Sequence, residues 1–279
     1  DYGRSPVSFS ASAGYRYLAD NNTLFRGEGN PDVRFNLVYG DPFDGITTKP
    51  YDYFTLDATF GLSSNQLLIT GLHLLGRLWS VPVEVSKGTE MEFGIFQHFN
   101  YYDSQPVKDG TSFVPYRISE AASVGPGIIY RFPQVGNLTK LEQRIFVDGI
   151  LLGGSLTDYY NVIDRDYNMG SGYSVKAVSL MDFGKVACFQ IGADYYRIFT
   201  WKGYEGKDLA TTDPLYLNDQ GDKGNASLLV VNARFGLALS NRLKLDFYVS
   251  IYWRDTYYSY HDDVRSKTYD LSLGLQYQF

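Results

Sequence analysis

Lys267-Thr268-Tyr269-Asp270-Leu271-Ser272-Leu273-Gly274-Leu275-Gln276-Tyr277-Gln278-Phe279 puts Tyr269, Leu271, Leu273, Leu275, Tyr277 and Phe279 on one face and Asp270, Ser272, Gly274, Gln276 and Gln278 on the other. A period of two is the pattern of a β-strand with one greasy side and one wet side. The preceding segment repeats it, with Leu243, Leu245, Phe247, Val249, Ile251 and Trp253 opposite Lys244, Asp246, Tyr248, Ser250, Tyr252 and Arg254. Read outward from these two, the chain divides into twelve strands, at about 6–18, 31–41, 51–62, 66–79, 88–103, 115–132, 140–157, 170–182, 184–202, 225–240, 242–256 and 267–279. Most exceed the roughly 5–6 residues of a soluble strand and suit a tilted membrane strand of about 9–11.

The connections alternate in length. Those at 42–50, 80–87, 133–139, Asp182-Phe183-Gly184 and Ser240-Asn241-Arg242 are mostly short; those at 19–30, 104–114, 158–169, 203–224 and 257–266 are longer, with Ser63-Ser64-Asn65 the short exception. An even strand count with short turns on one side and long loops on the other predicts an all-β, transmembrane, up-and-down antiparallel barrel. Tyr15, Tyr17, Phe99, Tyr101, Tyr102, Tyr195, Trp201, Trp253 and Tyr257 fall near the long-loop ends, and Tyr53, Phe54, Trp79, Tyr130, Phe132, Tyr277 and Phe279 near the short-turn ends, as two interfacial girdles would. Nine of the ten prolines are placed in connections or at strand ends, and Gly125-Pro126-Gly127 is read as a bulge.

Composition agrees with a single barrel domain spanning 1–279. Trp 3, Tyr 25 and Phe 18 make 46 aromatics in 279 residues, which excludes a disordered chain. Twenty-five basic against 31 acidic residues, a net charge of −6, argue against a sequence-independent grip on nucleic acid. Cys188 is the only cysteine, so no intrachain disulfide forms, and it reads as an inert residue, buried or lipid-facing. The densest apolar stretch, Leu67 to Trp79, is broken by Thr70, Gly71, His73, Gly76 and Arg77 and is no membrane helix. Asp1 opens without a charged or apolar leader, so a secretory signal is expected to have been removed.

The terminal Tyr277-Gln278-Phe279 resembles the C-terminal signal of Gram-negative outer-membrane proteins that the barrel-assembly machinery reads. Tyr39-Gly40-Asp41-Pro42-Phe43, Lys49-Pro50-Tyr51-Asp52-Tyr53-Phe54, Ser119-Glu120-Ala121-Ala122 and Arg165-Asp166-Tyr167-Asn168-Met169-Gly170 resemble a barrel family of Bacteroidetes-type bacteria without an assigned activity. The resemblance implies an outer-membrane location, lipid and lipopolysaccharide as surroundings, and Tyr277 and Phe279 as the assembly signal.

With the apolar face given to lipid, the other face lines the interior. It presents Arg16, Arg34, Arg77, Arg144, Lys176, Arg234 and Lys244 with Asp57, Glu92, Glu142, Asp148, Asp194 and Asp246, seven positive against six negative. A strongly ion-selective pore would show a ring of one sign. A near-neutral wall predicts charges paired across a narrow lumen, and a passive channel or binding barrel for a small solute, working as a monomer. His73 and His98 share the inward parity, whereas His261 lies in a loop beside Asp262 and Asp263. The alternative is a lipid-modifying hydrolase of the phospholipase or lipid A deacylase type, with His98 and Glu120 as a general-base pair once a bulge at Pro126 turns Glu120 inward; a subunit of a surface complex is the third reading. No Gly-x-Ser-x-Gly occurs. The acidic pairs Asp219 with Asp222 and Asp262 with Asp263 lack the spacing of a calcium loop, and no metal or cofactor is expected.

Overall fold

The computed structural model describes residues 7–20, 28–40, 53–61, 66–102, 118–157, 166–184, 186–202, 225–257 and 264–278. These form twelve strands: β1 (Val7–Asp20), β2 (Glu28–Gly40), β3 (Tyr53–Gly61), β4 (Gln66–Ser86), β5 (Thr89–Tyr102), β6 (Ile118–Phe132), β7 (Lys140–Thr157), β8 (Asp166–Asp182), β9 (Ala187–Lys202), β10 (Asn225–Ala238), β11 (Leu243–Tyr257) and β12 (Val264–Gln278). Each pairs antiparallel with its sequence neighbours, and β12 returns to β1 with Gln278 opposite Ser10 and Ser272 opposite Arg16, which closes the barrel. Closure satisfies every strand with two partners and leaves no edge, the requirement for a sheet surrounded by hydrocarbon.

Alternation fixes which face is which. On β7, Glu142, Arg144, Phe146, Asp148 and Ile150 are buried, and the intervening Ile145, Val147 and Leu151 are exposed. Phe9, Phe35, Leu37, Phe93, Ile128, Tyr173, Val175, Ile191, Leu229, Phe235, Phe247, Leu273 and Leu275 continue the exposed apolar surface around the barrel. An apolar exterior of this extent over a charged interior inverts a soluble protein and matches a lipid-facing wall.

The short connections are built by residues the turns demand. Lys87-Gly88 joins β4 to β5 with Gly88 at φ 76, Gly184 at φ 69 lies in the β8–β9 turn, and Gly136 at φ 59 sits in the β6–β7 connection, where Val135 and Leu138 form a bridge. A positive φ costs glycine nothing and other residues considerably. The loops at 103–117, 158–165, 203–224 and 258–263 lie outside the described residues, and with them His261, Asp262, Asp263, Asp219 and Asp222.

Several local expectations are corrected. Strand β4 continues to Ser86, seven residues beyond the expected end at Trp79, because Val81, Val83 and Val85 extend the period-two pattern against β5. Trp79 therefore faces outward opposite Ile95 well above the turn; Tyr53 stands opposite Leu75 in register, and its side chain lies outside the described residues. Two prolines sit within strands: Pro82 opposite Glu92 and Pro31 opposite Tyr15. Among the described residues both lie beyond the stretches through which their strands pair with β3 (ending at Leu75 on β4 and Val33 on β2), at strand ends where a residue without an N–H is best tolerated.

The Gly125-Pro126-Gly127 segment is not a bulge. Val124 faces Gly149 and Gly127 faces Phe146, the same register on both sides of Pro126; the β6 irregularities fall instead between Glu120 and Ser123. The two glycines serve packing: a Cβ at Gly127 would lie 2.3 Å from Phe146 Cδ1 and 2.8 Å from Phe96 Cδ2. Phe96 and Phe146 meet edge to face there, with centroids 5.1 Å apart. Gly127→Val is expected to cost about 1–3 kcal/mol or more by overpacking, read as a lowered urea midpoint of the folded band on a gel loaded without boiling.

Candidate functional site

The inward face of β4 to β9 carries two ionic clusters separated by apolar packing. The lower cluster, near the short turns, is centred on Arg131 of β6. Register places Glu90 of β5 and Glu142 of β7 directly opposite it, so its guanidinium meets a carboxylate on either side. Arg131 Nη2 donates to Glu92 Oε2 at 2.9 Å and Nε to Glu142 Oε2 at 3.0 Å, and Nη1 pairs with Glu90. Arg77 Nε lies 2.9 Å from the second oxygen of Glu92, and Arg144 Nε 2.5 Å from the second oxygen of Glu142. Three arginines thus balance three glutamates, and the side chain of Glu142 is 0% exposed. The two buried carboxylates, Glu92 and Glu142, persist because each of their oxygens has a cation, since an isolated charge costs several kcal/mol.

Above it, Leu75, Phe96, Ile129 and Phe146 form an apolar layer. The upper cluster follows: Asp148 Oδ2 accepts from Lys176 Nζ at 2.8 Å and lies 2.8 Å from His98 Nδ1. The His98 ring stands edge to face on Phe146 at 4.8 Å, and the Lys176 ammonium lies 5.8 Å from the Tyr196 centroid. A second apolar layer of Ile150, Tyr196, Ile198, Leu228 and Val230 lies on the long-loop side. This half of the wall is packed like a core.

The opposite half differs. From β10 through β12 to β1 the inward positions include Asn232, Gly236, Ser250, Ser272, Gly274, Gln276, Ser10, Ser12 and Gly14. Here Arg234 Nε meets Asp246 Oδ1 at 2.8 Å with side chains 43% and 24% exposed, and Gln276 donates to Ser10 at 2.8 Å. Asp246 stands between Gly236 and Gly274 in register, so no bulky cross-strand neighbour covers it.

The structure brings Arg77, Glu92, His98, Arg144 and Asp148 to one wall, and Arg234 with Asp246 to the other. Asp194 lies opposite Lys176 in register. Arg34, Asp57 and His73 occupy inward register positions, opposite Ser12, Asn36 and Thr55, and their side chains lie outside the described set, as do Glu120's and the whole of Phe279. Outward Tyr277 is described and exposed.

The expected His98–Glu120 pairing is replaced. Glu120 stands opposite Asn100, whereas His98 stands opposite Ser123, and the carboxylate that meets its imidazole is Asp148 from β7. The extra β6 residue between these pairs reverses the parity counted up from Arg131. Ser123 Oγ donates to the His98 carbonyl at 3.2 Å, away from the ring, so the two form no nucleophile–base couple. The imidazole is buried on the lumen side, behind a wall whose other face meets lipid. Arg131 and Glu90, absent from the anticipated lining, shared its parity; the signal that finds them is cross-strand register, which sequence alone does not supply.

A closed antiparallel barrel with an apolar exterior, a charged and hydroxylic interior, and alternating short and long connections is of the outer-membrane β-barrel class. No family model and no curated protein matches the chain. Its structural neighbours are outer-membrane porins and channels. The KdgM porin in complex with disordered oligogalacturonate is 13% identical, with 96% of this chain and 99% of that chain covered and a TM-score of 0.32. The NanC porin is 8% identical, with 96% and 100% covered and a TM-score of 0.39. The channel DcaP of Acinetobacter baumannii is 11% identical, with 98% and 96% covered and a TM-score of 0.33. Likeness at this level carries no information on the solute.

Proposed function

We propose that this protein is a passive outer-membrane channel or binding barrel for a small polar solute, which passes along the β10–β12–β1 wall. The observation that carries this reading is the contrast in exposure between the two walls. Apart from Glu90 and Arg131 at the short-turn rim, the paired charges on β4 to β9 are buried, at 14% exposure or less, while Arg234 and Asp246 remain open to solvent beside Ser, Asn, Gln and Gly. One cation and one anion side by side, flanked by hydroxyl and amide groups, suit a solute with both charges or many hydroxyls, such as a zwitterion or a small sugar. On the same reading the barrel acts as a monomer, Tyr277 and Phe279 present the insertion signal to the barrel-assembly machinery, and the four quoted segments are a likeness to the Bacteroidetes-type barrels.

Liposome swelling and planar-bilayer conductance test this together. The unmodified protein is expected to admit small sugars or zwitterions, with small and weakly selective conductance, and Arg234→Glu should move the selectivity toward cations. Arg77→Gln, inside the packed wall, should change selectivity far less. No swelling with any small solute, or a large and strongly selective conductance, would overturn the proposal.

A further inference from the structure

Among the described residues the lipid-facing surface carries charge in one sector only. Among the described residues of β1 to β8, the register places no lysine or arginine on the outward face. On β9 and β12 it places them there. Arg197 lies opposite outward Tyr173 and Ser227, and Lys267 lies opposite outward Trp253. Asp255 of β11 shares that parity, so among the described side chains the sector holds two cations and one anion.

Depth sets the meaning of these charges. Arg197 stands ten residues above Ala187, the start of β9, and Lys267 eleven residues before Gln278, the end of β12. At about 3.3 Å per residue and a tilt of roughly 40°, both lie some 25–28 Å above the short-turn rim, at the far boundary of an apolar band about 25 Å tall. Below them the face is apolar: Val175, Ile191, Leu229, Val231 and Ile251. Both heads are held against rings, with Lys267 Nζ 5.1 Å from the Trp253 centroid and 4.9 Å from that of Tyr269, and Arg197 Cζ 5.6 Å from that of Phe199. Tyr173 extends the platform, 6.2 Å from Tyr195 and 6.4 Å from Phe199. Held amphipathic cations at a membrane boundary are placed to meet headgroup anions.

We propose that this sector binds the phosphate groups of an outer-leaflet phosphoglycolipid, Arg197 and Lys267 each engaging one, with the acyl chains lying on the apolar wall below. Three strand spacings separate β9 from β12, about 14 Å, a span suited to a disaccharide bearing a phosphate at each end. The inference rests on the orientation in which the short turns are periplasmic, and is independent of what passes through the lumen.

The test uses the full barrel in phosphatidylcholine nanodiscs, titrated with purified lipopolysaccharide and with the same glycolipid after enzymatic removal of its phosphates. Bound lipid is counted by native mass spectrometry. Losing one charge-assisted contact per phosphate should weaken binding by at least about tenfold, both in Arg197→Gln/Lys267→Gln and for the dephosphorylated glycolipid, with the heat-shifted gel band unchanged. Millimolar inorganic phosphate should not displace the lipid. Equal binding by the folded double variant, or by the dephosphorylated glycolipid on the unmodified protein, would overturn the proposal. The second arm decides even if the double variant fails to insert.

Discussion

Replacing Arg131 by Met is expected to cost the barrel about 3–5 kcal/mol, the usual consequence of removing one partner from a buried ion pair. Arg131 is the common cation of Glu90, Glu92 and Glu142. Arg77 still covers Glu92, and Arg144 still covers Glu142, so two carboxylates keep one contact each while the cluster gains a net negative charge. Glu90 is about half exposed and relaxes into water; Glu142 has no such exit. The urea midpoint of the heat-shifted band should fall sharply in Arg131→Met and recover in part in Arg131→Met/Glu142→Gln, which restores neutrality. If the double variant were no more stable than the single one, packing of the guanidinium and not charge balance would be the source of the effect.

Leu273→Arg is expected to be nearly as damaging for the opposite reason. Leu273 is 51% exposed on the outward face, five residues before the end of β12, which puts it close to the middle of the apolar band. A cation there costs about 2–4 kcal/mol in hydrocarbon. Its neighbour Ser272 faces the lumen opposite Tyr248 and Arg16. Ser272→Arg gains a like-charged cross-strand neighbour yet reaches water, so it should insert with a smaller loss. Insertion into lipid vesicles, followed on unboiled gels, ranks the two; equal loss would mean that β12 does not present alternate faces to lipid and lumen.

The faces of the strands and the twelve-strand plan were legible in the sequence because the side-chain period of a strand is two, and a one-residue error would put every Leu and Phe on the wrong side. The class of the protein follows from the same pattern, since the greasy face of Tyr269, Leu271, Leu273 and Leu275 recurs in strands too long for a soluble sheet. Pairing was not legible. Arg131 finds Glu90 at a separation of 41 residues and Glu142 at 11, and which carboxylate stands opposite a given arginine depends on register. Register in turn depends on irregularities such as the one between Glu120 and Ser123, which a count along one strand does not reveal; the His98 partner was missed for this reason. Closure of the barrel then decided what no single strand encodes: that the charges of β5, β6 and β7 are buried as one cluster, and that Arg234 and Asp246 meet on the remaining wall with Gly236 and Gly274 beside them. The physical reason is that hydrophobic alternation is a local property of each strand, while ion pairing and open space are properties of strands brought side by side.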